Sequence, residues 1–176
     1  MHIATPQLHL VLLTPAEIVA SIEALPPALR AEVSPAWLER AREARLPDPW
    51  IHGFVMVEQI GGATVGNCGF KGPPDADGAV EIAYGVDVSQ QGRGFATEAA
   101  AGLVEFAFSQ PGVRLVCAHT LPFESPSTSV LRKCGFERVG EVVDPEDGPV
   151  WRWERRRLGG DPDGNMVSGP GGSYLR

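Results

Sequence analysis

Cysteine is scarce in this chain, with Cys68, Cys117 and Cys134 the three present in 176 residues. Their number is odd and no two stand in a CxxC spacing. That excludes a disulfide framework and predicts reduced thiols of the cytoplasmic kind. Lysine is scarcer still. Lys71 and Lys133 are the two lysines among fifteen basic residues, a bias we assign to genomic composition. No apolar run is long enough to cross a bilayer, and the opening residues, Met1 to Pro6, lack the basic and apolar regions of a signal peptide. A cytoplasmic protein with no membrane partner is therefore expected. His2, His9, His52 and His119 show no metal-ligand spacing, so no metal site is expected either. The net charge of −7 disfavours a broad nucleic-acid-binding face and is compatible with a cationic or amine partner.

Glycine and proline are plentiful, at 21 and 16 residues, where an average chain holds roughly 12% of the two together. Helix interiors exclude both, which argues against a long bundle or coiled coil. With 43% hydrophobic residues the chain can bury a core, and its length predicts one domain.

Gln7 to Leu13 reads as a strand, and Thr14-Pro15 as the N-cap and first residue of a helix to about Ala24, stopped by Pro26-Pro27. A second helix is predicted over Pro35 to Arg45. Trp50 to Ile60 and Thr64 to Phe70 read as strands about a Gly61-Gly62 hairpin turn. Val80 to Val88 is the clearest strand, with Val80, Ile82, Tyr84, Val86 and Val88 at period two and Glu81, Ala83, Gly85 and Asp87 on the other face. A helix follows from Gly94 to Ser109, with Glu98, Gly102 and Glu105 opposite its apolar stripe. Val113 to Thr120 is a strand. Ser125-Pro126 opens a helix to Lys133, which Gly135 closes in the left-handed position with Phe136 as its apolar contact. Strands over Glu137 to Val143 and Val150 to Arg157 complete a domain over 1–158, and the glycine-rich residues 159–176 read as a flexible tail. The sum is an α/β domain with a mixed sheet.

The stretch that carries chemistry runs from Val86 to Thr97. A strand enters a loop bearing Gly92 and Gly94 and passes directly into a helix. Glycines let backbone N–H groups face a ligand, and the helix N-terminus adds partial positive charge, a combination suited to phosphate. A tight turn without a ligand fits the same pattern. A Walker loop is excluded because no lysine follows, and a dinucleotide fingerprint because position 97 is Thr and no acidic residue stands about twenty positions on.

Gln91, Gly94 and Ala96 do satisfy Gln-x-x-Gly-x-Ala. With Glu81 to Val86 before them and Ser127 to Phe136 after, the chain resembles the GNAT superfamily of acyl-CoA-dependent N-acetyltransferases. Within it the likeness is to the ribosomal-protein N-terminal acetyltransferases. It extends from about Leu8 to Arg157. The resemblance implies a GNAT-like fold: a mixed, mostly antiparallel twisted sheet of about seven strands, flanked by about four helices, with a splayed central strand pair. It implies acetyl-CoA as co-substrate, its pyrophosphate on the backbone of Gln91, Gly92, Arg93, Gly94, Phe95, Ala96 and Thr97, with the Arg93 side chain available to a phosphate. The pantetheine arm would follow Val86, Asp87 and Val88. Gly85 is expected to mark a bulge or a close backbone approach there.

The reaction itself makes demands on side chains. A protonated amine has no lone pair, so a base must take its proton, donors must hold the oxyanion, and the leaving thiolate benefits from an acid. Glu81 is the candidate base, directly or through water; a salt-bridged strand glutamate is the alternative. A backbone N–H near Val86 would polarise the carbonyl. Ser127 is the candidate acid or CoA contact, with helix capping as its alternative. The family places an Asn just before that serine, and here Glu124 and Ser125 stand in its place, leaving Ser125 as a CoA candidate. The tyrosine that many superfamily members use as acid is absent from this block, and Tyr84 is assigned to the core. Cys117 and His119 share a strand face but lack a third orienting group, so core packing is the reading there. The acceptor is an amine on a small molecule or a protein N-terminus, and homodimers are common among similar proteins. The alternative to an enzyme is an acyl-CoA-binding module that senses without turnover.

Overall fold

The computed structural model describes residues 1–31, 33–145 and 148–157. The predicted tail, residues 159–176, lies outside the described residues. Eight strands form one sheet: β1 His2–Ala4, β2 Leu8–Leu12, β3 Phe54–Glu58, β4 Thr64–Phe70, β5 Ala79–Val86, β6 Leu115–Thr120, β7 Glu137–Asp144 and β8 Gly148–Arg156. Five α-helices accompany them among the described residues: α1 Pro15–Glu23, α2 Pro27–Ala31, α3 Pro35–Glu43, α4 Phe95–Ser109 and α5 Pro126–Lys133. No described helix is long and apolar enough to cross a membrane.

The expected GNAT-like sheet of about seven strands flanked by about four helices is present among the described residues, with two further short elements. β1 is three residues long and carries no periodic signal. It forms because Ile3 and Ala4 meet Leu10 and His9 of β2 in antiparallel register. α2 begins at Pro27, half of the pair read as a helix stop. Proline is tolerated in the first turn of a helix, where its missing N–H would be unpaired anyway.

Local chemistry accounts for most of the remaining boundaries. Thr14 caps α1 in a reciprocal box with Glu17, whose carboxylate accepts from the Thr14 N–H at 2.8 Å. Ser125 caps α5 in the same manner with Thr128. That helix ends as predicted, with Gly135 at φ 76° and the Phe136 and Gly135 N–H groups donating to the carbonyls of Leu131 and Arg132 at 3.0 Å. Gly61 and Gly62 turn the β3–β4 hairpin with φ of 91° and 70°.

The strand order is β1-β2-β3-β4-β5-β6-β8-β7. Every neighbouring pair is antiparallel except β5 and β6, which run parallel and are bonded only over Ala79–Glu81 against Leu115–Cys117. Beyond that point β5 stays with β4 through Val86, whereas β6 stays with β8 through Thr120. The two central strands thus part in a V whose vertex is Glu81 and Cys117. α4 packs under the sheet, burying Phe95, Ala99, Leu103, Val104 and Ala107 against Leu8, Leu10, Val80, Ile82 and Val116.

Three further readings are corrected. β5 ends at Val86 rather than Val88, because Val88–Gln90 forms a 3₁₀ turn and Val88 is 87% exposed. Glu98 and Gly102, read as the solvent side of α4, face the β1–β2 corner, where a Cβ on Gly102 would lie 3.0 Å from Thr5 and 3.3 Å from Leu10. The close approach expected of Gly85 exists, but its partner is the residue that must be glycine. A Cβ on Gly66 of β4 would meet the Gly85 carbonyl oxygen at 2.2 Å.

Candidate functional site

A cavity of about 600 Å³ opens on the free arm of β5 and runs between the α4 N-terminus and α5. The loop entering α4 forms one wall. Gly92 and Gly94 hold φ of 79° and 86°, a region costly for other residues, and open space lies where a side chain would project. Among the described residues no protein acceptor takes the N–H groups of Gly92, Arg93 or Gly94. These consecutive donors at a helix N-terminus make an anion cradle, so the loop fits a pyrophosphate.

Val86, Gln91, Gly92, Gly94, Phe95, Ala96 and Thr97, all expected at the cofactor, line this cavity. Gln91 also folds back to donate to the Val86 carbonyl at 3.1 Å. Arg93 is placed differently. Its guanidinium is ion-paired with Glu58 of β3, donates to Gln90 at 2.7 Å and stacks on the Phe95 ring. It staples the loop, and reaching a phosphate would require those bonds to exchange. Asp87 makes the last bond of β5 to β4, its N–H donating to the Val65 carbonyl at 2.9 Å, and then opens the 3₁₀ turn that carries the exposed Val88 away from the strand. The Lys71 N–H donates to Glu81 O while Asp87 N–H donates to Val65 O, so odd-numbered β5 residues direct their backbone groups toward β4. By alternation Tyr84 and Val86 direct theirs to the open edge of the V.

On the α5 side Ser127 lines the cavity with Lys133, to which the sequence gives a helix-terminal place and no site role. Ser125 is not among the residues that line this cavity, and its hydroxyl accepts the Thr128 N–H as the helix cap. Glu124, in the place of the family's Asn, is likewise committed. It accepts two bonds of 2.6 Å from Arg132 and one of 3.0 Å from Thr128, and these hold its carboxyl down to about 2. Tyr84 is not confined to the core. Its hydroxyl reaches the Ser127 carbonyl at 3.4 Å, spanning the mouth of the V. Burial pushes its phenol well above the ordinary range, so it stays protonated.

A second cavity, also about 600 Å³, lies on the other side of β5, between the sheet and α3. Tyr84 and Gly85 line both, so the two cavities flank the same stretch of the open arm of β5. Lys71 stands at the edge of the second cavity, and its ammonium lies 2.8 Å from Glu81 Oε1. The same oxygen lies 2.9 Å from His119 Nδ1. Glu81 is thus a salt-bridged glutamate and, at once, part of a Lys71–Glu81–His119 cluster at the vertex. The register of Glu81 opposite Cys117 explains the histidine, which stands two residues further on the same face of β6. Cys117 takes no part as a nucleophile: burial pushes its thiol up to about 11. Among the described residues no cluster of three metal-ligating side chains occurs.

Comparison with known proteins agrees with this geometry. The chain is 30% identical over 93 residues to the uncharacterized N-acetyltransferase p20 of Bacillus licheniformis, covering 53% of this chain and 52% of that one. The chain spans about half the length of the curated relatives it matches. Among solved structures, aminoglycoside acetyltransferase AAC(6')-Ib in complex with ribostamycin and coenzyme A superposes with a TM-score of 0.60 at 23% identity, over 86% of this chain and 94% of that one. A spermidine N-acetyltransferase SpeG chimera from Vibrio cholerae and hSSAT gives 0.65 at 16% identity, over 85% and 95%. These likenesses show the fold. The family model for the acetyltransferase (GNAT) domain matches residues 5–137, and the chain belongs to that family.

Proposed function

We propose that this chain is an acetyl-CoA-dependent N-acetyltransferase that passes the acetyl group directly to an amine in a ternary complex. One observation carries the reading: two cavities share Tyr84 and Gly85, one walled by a loop of unpaired backbone N–H groups and the other edged by Lys71 of the Lys71–Glu81–His119 cluster. A module that only bound acyl-CoA would have no use for the second.

The loop from Gln91 to Thr97 holds the pyrophosphate, and Ser127 and Lys133 face the same ligand from α5. The open-edge N–H of Val86 polarises the thioester carbonyl and then holds the oxyanion. Glu81 accepts the ammonium proton. It lies three residues behind Tyr84, roughly 10 Å along the strand, so the proton travels through water. The amine nitrogen forms the new C–N bond and the C–S bond breaks, and the second proton that the nitrogen gives up passes by way of the Tyr84 hydroxyl, which stays protonated throughout, to the departing thiolate. Acceptors to be considered include small amines and, from the resemblance to ribosomal-protein acetyltransferases, protein N-termini.

The test is a thiol-release assay with acetyl-CoA against a broad amine and peptide panel. Glu81→Gln is expected to lower kcat by about 10²-fold or more, the scale of a lost general base. Tyr84→Phe is expected to lower kcat with acetyl-CoA binding retained. Normal acetyl-CoA binding with no acceptor acetylated by the wild type would sink the reading.

A further inference from the structure

We propose that the proton path to Glu81 runs through His119: water delivers the acceptor's proton to His119 Nε2, and the Nδ1 hydrogen passes on to Glu81. The inference rests on the acyl-transfer reading and deepens it, giving a role to a side chain that reading leaves unused.

Glu81 ends the paired stretch of β5 and β6, three residues behind Tyr84. His119 stands two residues beyond Cys117, the β6 partner of Glu81. Along its own strand it therefore advances roughly 7 Å from the vertex toward the mouth of the V, about two thirds of the way to the level of Tyr84. Glu81 shares a face of β5 with Ala83 and Gly85, which line the second cavity, and the His119 ring reaches Glu81 on that face.

Hydrogen bonding fixes which ring nitrogen is open. Nδ1 lies 2.9 Å from Glu81 Oε1. An ionised glutamate only accepts, and the Lys71 ammonium, which only donates, holds the same oxygen at 2.8 Å. Nδ1 therefore carries the hydrogen of the neutral ring, and Nε2 keeps its lone pair. Among the described residues no protein group bonds Nε2, and the sealed, unpartnered ring nitrogens are those of His9 and His52 instead. The His119 side chain is 14% exposed, and Nε2 is part of what solvent reaches. Its neighbours do not compete for Glu81. Arg152, directly opposite on β8, donates to Glu154 at 2.9 Å, and burial keeps Cys117 a thiol. The third orienting group that Cys117 and His119 lack in sequence is thus Glu81, and it orients the imidazole rather than the thiol.

The step moves protons and breaks no heavy-atom bond. As water hands one proton to Nε2, Nδ1 releases its own to Oε1. The amine is left with a lone pair, the ring stays neutral with its hydrogen on Nε2, and Glu81 ends protonated. Solvent then takes the Nε2 hydrogen while Glu81 returns its own to Nδ1.

The experiment uses the full chain with saturating acetyl-CoA and the best amine of the panel, and follows the acetylated amine by mass spectrometry. His119→Asn keeps an amide N–H near the place of Nδ1 and has no atom at Nε2. It is expected to lower kcat by about tenfold or more, with Tm and the KM for acetyl-CoA near wild type. In His119→Ala, added imidazole is expected to restore turnover in proportion to its concentration, which a purely structural histidine would not show. Because the two residues act in series, the double variant His119→Asn, Glu81→Gln is expected to be no slower than Glu81→Gln alone. Full kcat in His119→Asn, no rescue of His119→Ala, or single losses that multiply in the double variant overturns the relay and leaves acyl transfer standing. Acetyl-CoA binding with no amine acetylated by the wild type overturns both.

Discussion

Replacing Glu98 should test how the cofactor loop is anchored. The carboxylate sits in the first turn of α4, directly after the loop, and receives four groups from the β1–β2 corner. The Thr5 hydroxyl donates to it, as do the Gln7 N–H at 2.6 Å, the Gln7 side-chain amide at 2.9 Å and the Leu8 N–H at 3.0 Å. A hydrogen bond to a charged group contributes roughly 1.5–3 kcal/mol net. These four share two oxygens and several donors reach solvent, so their sum is discounted. For Glu98→Ala we expect a loss of about 2–4 kcal/mol, which for a chain of this size lowers Tm by on the order of 5–15 °C. Glu98→Gln keeps the shape but leaves one neutral acceptor oxygen for the Thr5, Gln7 and Leu8 donors and turns an NH2 toward the Gln7 side-chain amide, and should cost about 1–2 kcal/mol.

The pH dependence fixes the cause. Burial raises the Glu98 carboxyl, but the bonds from Thr5, Gln7 and Leu8 outweigh it and leave it below its ordinary value of 4.5. A carboxyl lowered on folding stabilises fully above its unfolded value and ceases to do so as pH falls through the folded one. The Tm gap between wild type and Glu98→Gln should therefore be constant above pH 4.5 and close below it. Thermal melts across that range decide the matter. A Gln variant as stable as wild type at pH 7, or a gap that persists in strong acid, refutes the reasoning.

Two further outcomes follow from named contacts. Gly66→Ala places a methyl 2.2 Å from the Gly85 carbonyl oxygen and 2.9 Å from Val86 Cα, so the free arm of β5 must move. We expect destabilisation of about 2 kcal/mol or more and a raised KM for acetyl-CoA, whereas Gly72→Ala, with open space around it, should match wild type in both. In a carboxyl-carbon NMR titration Glu124 should titrate near 2, held there by Arg132 and Thr128. In Arg132→Gln its midpoint should rise toward the ordinary 4.5; an unchanged midpoint would remove Arg132 as the cause.

What the sequence determined by itself is what hydrogen bonds between near neighbours decide. The caps of α1 and α5, the glycine closure after Lys133, the Gly61-Gly62 hairpin, all of β4 and the loop that enters α4 follow from residues within about four positions of one another. The loop's unpaired N–H donors are legible for the same reason, since they are consecutive backbone groups before a helix. What only the tertiary structure decided joins residues far apart in the chain. Glu98 meets Thr5 and Gln7 across more than 90 positions, Arg93 meets Glu58 across 35, and Glu81 meets His119 across 38. None of these pairs leaves a periodic trace. Tyr84 was assigned to the core because period two sets its ring beside Val80 and Ile82, and alternation says nothing of a hydroxyl long enough to reach past the sheet to Ser127. The charge of −7 pointed to a cationic partner, but net charge is a sum over the whole surface. The approach of α3 to β4 and β5 brings Arg40, His52 and Lys71 to one cavity, a local grouping that neither the summed charge nor any short sequence pattern announces.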